Sequence, residues 1–137
     1  MVGILVVTHG RIGEVLIEVA KAILKEEPEA VIPVSIDLSE NAGNLRKRIN
    51  NALKNVSQNK GILILTDMFG GTPSNLSYSF LEEKHVEVLA GVNLPILITA
   101  LTQRKKKNLS ELVISLEKSG KDSISVGTKI LKGNKRS

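Results

Sequence analysis

Residues 2–24, VGILVVTHGRIGEVLIEVAKAIL, contain the local pattern on which the fold assignment rests. Residues 2–7 form a continuous apolar run rich in β-branched side chains, which predicts a buried strand. Thr8-His9-Gly10 breaks that run, and apolar residues then recur at helical spacing from 12 to 24. The stretch therefore predicts a strand, a short loop that carries a histidine, and a helix.

The alternation of strand and helix continues along the chain. Similar apolar runs predict strands at 30–36, 61–65 and 86–90. A helix is predicted after each of them. The helix after the second strand has an apolar face at Leu45, Ile49, Leu53 and Val56. The next helix starts at Pro73 and ends near residue 82, and the last of the three spans 94–103. Parallel strands need crossover connections, and these are right-handed. We therefore expect the α/β class, with a single open, mainly parallel sheet of four strands in the order 2-1-3-4, flanked by helices.

Two signals for the start of a helix and one further strand complete this assignment. Thr72 suits the N-cap of the third helix, because Pro73 fits the first helical position. Asn108 with Glu111 resembles a capping box that opens a further helix, through about residue 117. Residues 123–131 alternate in polarity and are predicted to form a fifth, C-terminal edge strand.

Composition indicates a single globular domain. The 137 residues are 42% hydrophobic and 24% charged, and none is cysteine. We expect the domain to span 1–131 and a basic flexible tail to follow at 132–137. No apolar stretch approaches the roughly 20 residues that span a bilayer, and no basic leader precedes the first strand, so we expect a cytoplasmic protein with no membrane insertion. The net charge is +5, but aromatic residues are only 2%, which argues against nucleic-acid binding by base stacking.

The predicted topology defines a candidate site. In open α/β sheets, ligands bind beyond the carboxyl ends of the strands, where the strand order reverses. In the order 2-1-3-4 this place lies between strands 1 and 3, which end at His9 and Asp67. A carboxylate that accepts one ring N–H of a neutral imidazole fixes its tautomer and leaves the other nitrogen as the nucleophile. A phosphoryl group on that nitrogen would lie among the main-chain N–H groups of Gly10, or of Gly70 and Gly71, and the amino termini of two helices.

Other interpretations of the same residues have less support. Ser74 or Thr72 as nucleophile beside His9 and Asp67 would make a hydrolase triad, but the nucleophile-elbow pattern is absent. Two histidines without clustered carboxylates argue against a metal site, and the glycine loop lacks the lysine of a P-loop. His85 is expected to be a surface histidine, and Asn93 to be a helix cap. The Thr72 hydroxyl fits either a helix cap or a donor to a phosphoryl oxygen.

Three ordered segments carry a family resemblance that covers nearly the whole chain. They are Thr8-His9-Gly10, the loop TDMFGGTPSN at 66–75 and AGVNLP at 90–95. Together they resemble the enzyme IIA domain of the mannose family of the bacterial phosphoenolpyruvate-dependent sugar phosphotransferase system. The resemblance implies a phosphocarrier subunit that accepts a phosphoryl group from the protein HPr on a histidine of the first loop and passes it to enzyme IIB.

The resemblance also assigns roles to residues. It implies that His9 is the acceptor, that Asp67 is its carboxylate partner, and that the Thr72 hydroxyl lies near the phosphoryl group. The phosphoryl loop or the docking surface would then include Thr8, Gly10, Phe69, Gly70, Gly71 and Asn75. No cofactor or metal is implied, and the expected assembly is a homodimer that exchanges its last strand. Two alternatives stay open: a regulatory module that senses phosphorylation, and the phosphotransferase subunit of a dihydroxyacetone kinase.

Overall fold

A computed structural model of the chain describes residues 1–57, 59–83 and 85–132. Apart from residue 132, the predicted tail lies outside the described residues. Ten elements follow one another in the order β1 Gly3–His9, α1 Ile12–Leu24, β2 Val31–Ile36, α2 Ala42–Val56, β3 Ile62–Thr66, α3 Thr72–Tyr78, β4 Val86–Ala90, α4 Leu94–Gln103, α5 Leu109–Asp122 and α6 Gly127–Lys132.

The four strands form one parallel sheet in the order β2-β1-β3-β4, which confirms the predicted topology. Strand β1 lies in the interior of the sheet, where Ile4 pairs with Val31 of β2 and with Leu63 of β3. Residues 3–8 of β1 are all buried because helices cover both faces of the sheet. All four strands therefore bring their carboxyl ends to one common edge.

Two apolar clusters hold the helices against the sheet. On one face, Ile17 of α1 packs with Leu97 of α4 and Leu116 of α5. On the other face, the predicted apolar side of α2 is buried against β1, β2 and β3, together with Phe80, which follows α3. Within the described residues no helix combines the length and the apolar character needed to cross a membrane.

Strands β2, β3 and β4 are each entered through a residue with positive φ. These residues are Ala30 (φ 52°), Gly61 (φ 92°) and His85 (φ 65°). Their carbonyl oxygens accept the N–H groups of Ile4, Gly3 and Ile62 at 2.9, 2.9 and 2.8 Å, respectively. The left-handed turn thus aims each carbonyl at the neighbouring strand, and only at Gly61 does the residue type suit the conformation.

Several predicted boundaries differ from the structure. Strand β1 extends through Thr8 and His9, which pair with β2 instead of forming a loop. Helix α3 ends at Tyr78 and not near residue 82, whereas α5 continues to Asp122. The capping box of Asn108 and Glu111 is confirmed, since each side chain accepts the main-chain N–H of the other.

The predicted fifth strand over 123–131 is wrong. Residues 127–132 form the short helix α6, and the N–H groups of Lys129 and Ile130 bond back to the carbonyl of Val126 at 3.0 and 3.2 Å. Among the described residues no strand pairs with this segment, and local bonds satisfy its main chain instead. The alternating apolar side chains remain exposed, namely Ile124, Val126, Ile130 and Leu131.

Candidate functional site

The carboxyl ends of β1 and β3 bring His9 and Asp67 into contact, as predicted. Ring atom Nδ1 of His9 lies 2.8 Å from Oδ2 of Asp67, although the two residues are 58 positions apart in the sequence. The main-chain N–H of His9 donates to the same oxygen at 2.9 Å. The carboxylate thus holds both the backbone and the ring of the histidine.

The other carboxylate oxygen of Asp67 also has a partner, because Oδ1 accepts the main-chain N–H of Met68 at 3.0 Å. An ionised carboxylate can only accept, so Nδ1 of His9 carries the proton. In the neutral imidazole, Nε2 is then the unprotonated nitrogen, with its lone pair available to an electrophile.

Exposure separates the two partners. The His9 side chain is 31% exposed, whereas that of Asp67 is 11% exposed. Partial burial strengthens the contact, since nearby solvent screens it less. Among the described residues, no group of three or more histidine, cysteine or acidic side chains is arranged to hold a metal ion.

Ser74 supports the loop that follows Asp67. Its buried hydroxyl donates to the carbonyl oxygen of Met68 and lies 2.7 Å from the hydroxyl of Thr66. A carbonyl oxygen can only accept, so Ser74 donates to Met68 and receives the proton of Thr66. The proton of this hydroxyl goes to Met68 and not to His9, which argues against Ser74 as the nucleophile of a triad. The sequence offered no clear signal for this role beyond a small hydroxyl residue in the first turn of a helix.

The three glycines of the site have different surroundings. Gly10 and Gly70 have positive φ, 49° and 89°, and a Cβ added at either would meet nothing within 4 Å. Gly71 has the extended values φ −89° and ψ 172° and is the N-cap of α3. A Cβ on Gly71 would lie 2.8 Å from Cε1 of His9. Of the three glycines, Gly71 is therefore the one whose missing side chain leaves room for the imidazole.

The two threonines of the motifs do different things. The Thr8 hydroxyl is buried and accepts the N–H of Gly13 at 2.9 Å, so it satisfies a donor in the first turn of α1 from outside the helix. Thr72 is the first residue of α3 and follows the N-cap Gly71. The prediction that Thr72 is the N-cap is wrong, because the loop held by Ser74 places Gly71 in that position.

Exposed side chains lie between Asp67 and the first turns of α3. Phe69 is 77% exposed, and its ring lies 6.2 Å from that of Tyr78, centroid to centroid. Met68 and Asn75 are also exposed, and the N–H of Asn75 bonds to the carbonyl of Gly71 at 2.9 Å. The loop between β3 and α3, which begins at the His9 partner Asp67, thus carries exposed apolar side chains.

Charged groups of both signs lie near the same edge. Nε of Arg11 is 3.7 Å from a carboxylate oxygen of Glu14, and that oxygen accepts the Ser35 hydroxyl at 2.5 Å. The main-chain N–H and the hydroxyl of Ser39 donate to Asp37 and lower the pKa of its carboxyl. The surface at this edge therefore combines carboxylates that are held by hydrogen bonds with the exposed guanidinium of Arg11.

The remaining polar candidates lie apart from this pair or serve the fold. His85 directly precedes β4, at the opposite edge of the sheet from His9. Asn93 accepts the N–H of Ile96 at 2.9 Å, which confirms it as the N-cap of α4.

Comparison with known proteins gives a family match over most of the chain. The model of the EIIA-man family, described as the PTS system fructose IIA component, matches residues 3–117. The chain is 33% identical over 127 residues to the PTS system fructose-specific EIIA component of Bacillus subtilis (strain 168), covering 92% of this chain and 86% of that protein.

A second relative is longer than this chain. It is the PTS system mannose-specific EIIAB component of Escherichia coli (strain K12), 35% identical over 125 residues, which cover 90% of this chain but 38% of that protein. Among solved structures, phosphotransferase system component EIIA from Streptococcus agalactiae matches with a TM-score of 0.84 and 26% identity, covering 94% of this chain and 99% of that one.

Proposed function

The chain belongs to the EIIA-man family of phosphotransferase-system IIA components, and from that premise we propose that it is a phosphocarrier subunit whose acceptor atom is Nε2 of His9. The donor is phosphorylated HPr, and the next acceptor is enzyme IIB. The observation that carries the proposal is the 2.8 Å contact between Nδ1 of His9 and Oδ2 of Asp67. It supports Nε2 as the acceptor because an ionised carboxylate can only accept the proton at Nδ1.

The transfer needs no proton movement in this chain. The lone pair of Nε2 attacks phosphorus, and the bond between phosphorus and its donor atom in HPr breaks with its electron pair left on HPr. The His9 ring, still protonated at Nδ1, becomes cationic. Asp67 then faces a positive charge at 2.8 Å and stabilises it, as a carboxylate does for an imidazolium. Passage to enzyme IIB is the same step with this chain as donor.

The phosphoryl oxygens need donors near Nε2. The Thr72 hydroxyl, on the first residue of α3, is one donor that we propose. The positive φ of Gly70 turns the main chain within the loop, and the N–H of Gly70 is the other donor that we propose. The N–H of Gly10 already donates to the carbonyl of Ile36 at 3.0 Å. Thr8 acts only indirectly, since its hydroxyl is buried and accepts the main-chain N–H of Gly13 in α1.

Met68 and Phe69 form the surface on which we expect the partner proteins to dock. Both side chains are more than half exposed beside the acceptor. Exposed apolar groups near a reactive atom suit a transient protein interface, in which aromatic and methionine side chains are enriched. Phe69→Ala should therefore raise the KM for phosphorylated HPr more than it lowers kcat.

The decisive experiment is reconstitution of the relay. The chain is incubated with phosphoenolpyruvate, enzyme I and HPr, and acid-labile phosphate on it is measured, followed by transfer to a mannose-family enzyme IIB. His9→Ala should abolish labelling, and the matched variant His85→Ala should be labelled normally. Undiminished labelling of His9→Ala, or retention of the label in the presence of every such enzyme IIB, would contradict the proposal.

A further inference from the structure

We propose that Gly71 is a positioning residue for His9: its missing side chain lets the imidazole stay on Asp67, with Nε2 left for phosphoryl transfer. This inference rests on the proposed function of His9. Two contacts then define the ring, with Asp67 at Nδ1 and the Cα of Gly71 beside the Cε1 edge.

The evidence is the space around Gly71. A Cβ built on this residue would lie 2.8 Å from Cε1 and 3.3 Å from Nε2 of His9. The first separation is shorter than real Cβ contacts, which essentially never fall below 3.0 Å. A side chain at position 71 and the observed ring position therefore exclude each other.

The backbone gives no other reason for glycine at this position. Gly71 has φ −89° and ψ 172°, an extended conformation that any residue adopts. Gly70 is the opposite case, since its φ of +89° disfavours a side chain and its surroundings have room for one. The two adjacent glycines thus serve different purposes, one for the turn and one for the histidine.

A methyl group on residue 71 should move the ring and not the loop. The loop is held by the buried hydrogen bonds of Ser74, and the carbonyl of Gly71 accepts the N–H of Asn75 at 2.9 Å. The imidazole is held by one side-chain bond to Asp67 and retains 31% exposure. The displaced ring would lose its contact with Oδ2, and Nδ1 would no longer be the preferred site of the proton.

Gly71 also caps α3, and a second variant separates that role from positioning. Alanine is a poor N-cap residue and serine is a good one, yet both carry the Cβ. Gly71→Ala and Gly71→Ser should therefore differ in helix stability while they displace His9 alike. Gly43→Ala in α2 is the matched control, because the nearest atom to its added methyl is the end of the Asn41 side chain at 3.3 Å.

The test is nitrogen-15 NMR of the His9 ring in the unphosphorylated proteins, with unfolding measured alongside. The wild-type chain and Gly43→Ala should show the tautomer protonated at Nδ1, and both Gly71 variants should lose it. Phosphoryl acceptance from HPr should slow roughly 100-fold in both, the scale of a misplacement of about 1 Å at a reacting group.

Wild-type ring signals in either folded Gly71 variant would overturn the inference, and rescue by serine would make Gly71 only a cap. The ring spectra need no phosphoryl donor. If the wild-type chain accepts no phosphoryl group from HPr, the proposed function fails, and the spectra still decide whether Gly71 positions the ring.

Discussion

The main-chain nitrogen and the ring Nδ1 of His9 lie 2.9 and 2.8 Å from one atom, Oδ2 of Asp67. The first bond ties the end of β1 to the segment that leaves β3, and the second orients the imidazole. One carboxylate therefore joins the architecture of the sheet edge to the chemistry of the acceptor. Substitutions at Asp67 can remove its negative charge alone or its charge together with its hydrogen bonds.

Asp67→Asn and Asp67→Ala should slow phosphoryl acceptance to different extents. The amide oxygen of asparagine can still accept from His9, but it lacks the charge that stabilises a cationic ring, whereas alanine removes both. We expect losses of about 10-fold for asparagine and about 100-fold for alanine, the range that orienting partners of histidine ligands show. Quenched reactions with phosphorylated HPr measure the rates of phosphoryl acceptance, and circular dichroism checks the fold. Normal rates in Asp67→Ala would show that the carboxylate does not orient the acceptor.

Ser74→Ala should reduce both stability and transfer. The substitution leaves the Met68 carbonyl and the Thr66 hydroxyl without their buried partner, which costs about 1–3 kcal/mol of unfolding free energy. The released loop carries Gly71, so acceptance by His9 should slow as well.

Ser77→Ala is the control for this effect. Its hydroxyl is also buried in α3, but it only donates to the carbonyl of Pro73, at 2.6 Å. Urea unfolding and transfer rates should show a stability loss without a change in rate. Equal rates in Ser74→Ala and Ser77→Ala would mean that the loop does not depend on Ser74.

The parallel sheet was predictable from local patterns, and the pairing of His9 with Asp67 followed from one rule once the order 2-1-3-4 was expected. Each apolar run marks a strand, and parallel topology brings the carboxyl ends of strands to one edge. The N-cap of α3 was not predictable in the same way. The sequence Gly71-Thr72-Pro73 fits a helix start at either of its first two residues, and the tertiary bonds of Ser74 decide between them.

The end of the chain was mispredicted for a different reason. Alternating polarity at 123–131 describes side chains and says nothing about which strand supplies the ladder. Within the described residues, the segment finds no strand partner and forms α6. The contact between Gly71 and His9 was likewise invisible in the sequence, since a glycine kept for space looks the same as a glycine kept for a turn.

Arg104→Lys should destabilise the domain without a direct effect on the site. The buried guanidinium donates to the carbonyl oxygens of Glu29 and Ala30 at 2.5 and 3.2 Å, which supports the left-handed entry into β2. Burial lowers the pKa of Arg104, yet a guanidinium stays protonated. A lysine ammonium cannot reproduce this fork, so we expect a loss of about 1–3 kcal/mol.

The exposed neighbour Lys105 provides the comparison. Lys105→Ala should change the free energy of unfolding by less than about 0.5 kcal/mol, as surface substitutions usually do. Chemical denaturation of both variants gives the two values. Equal stability of Arg104→Lys and the wild-type chain would refute the supporting role of the guanidinium.

Self-association is the last prediction, and it remains a proposal from the family resemblance and the exposed C-terminal segment. Ile124, Val126, Ile130 and Leu131 are exposed near the end of the described chain, and β4 forms an open edge of the sheet. Burial of these groups in a second copy would remove apolar surface from water in both subunits. Light scattering at micromolar concentration should therefore give twice the 14.8 kDa chain mass.

A matched pair of variants locates the contact. Ile130, 66% exposed in α6, and Ile114, 69% exposed in α5, offer the same side chain with nearly equal exposure. Ile130→Glu places a charge in the expected interface and should shift the mass toward that of one chain, while Ile114→Glu should leave the dimer intact. A monomeric wild-type chain would refute the dimer, and dissociation by Ile114→Glu alone would show that the C-terminal segment is not its interface.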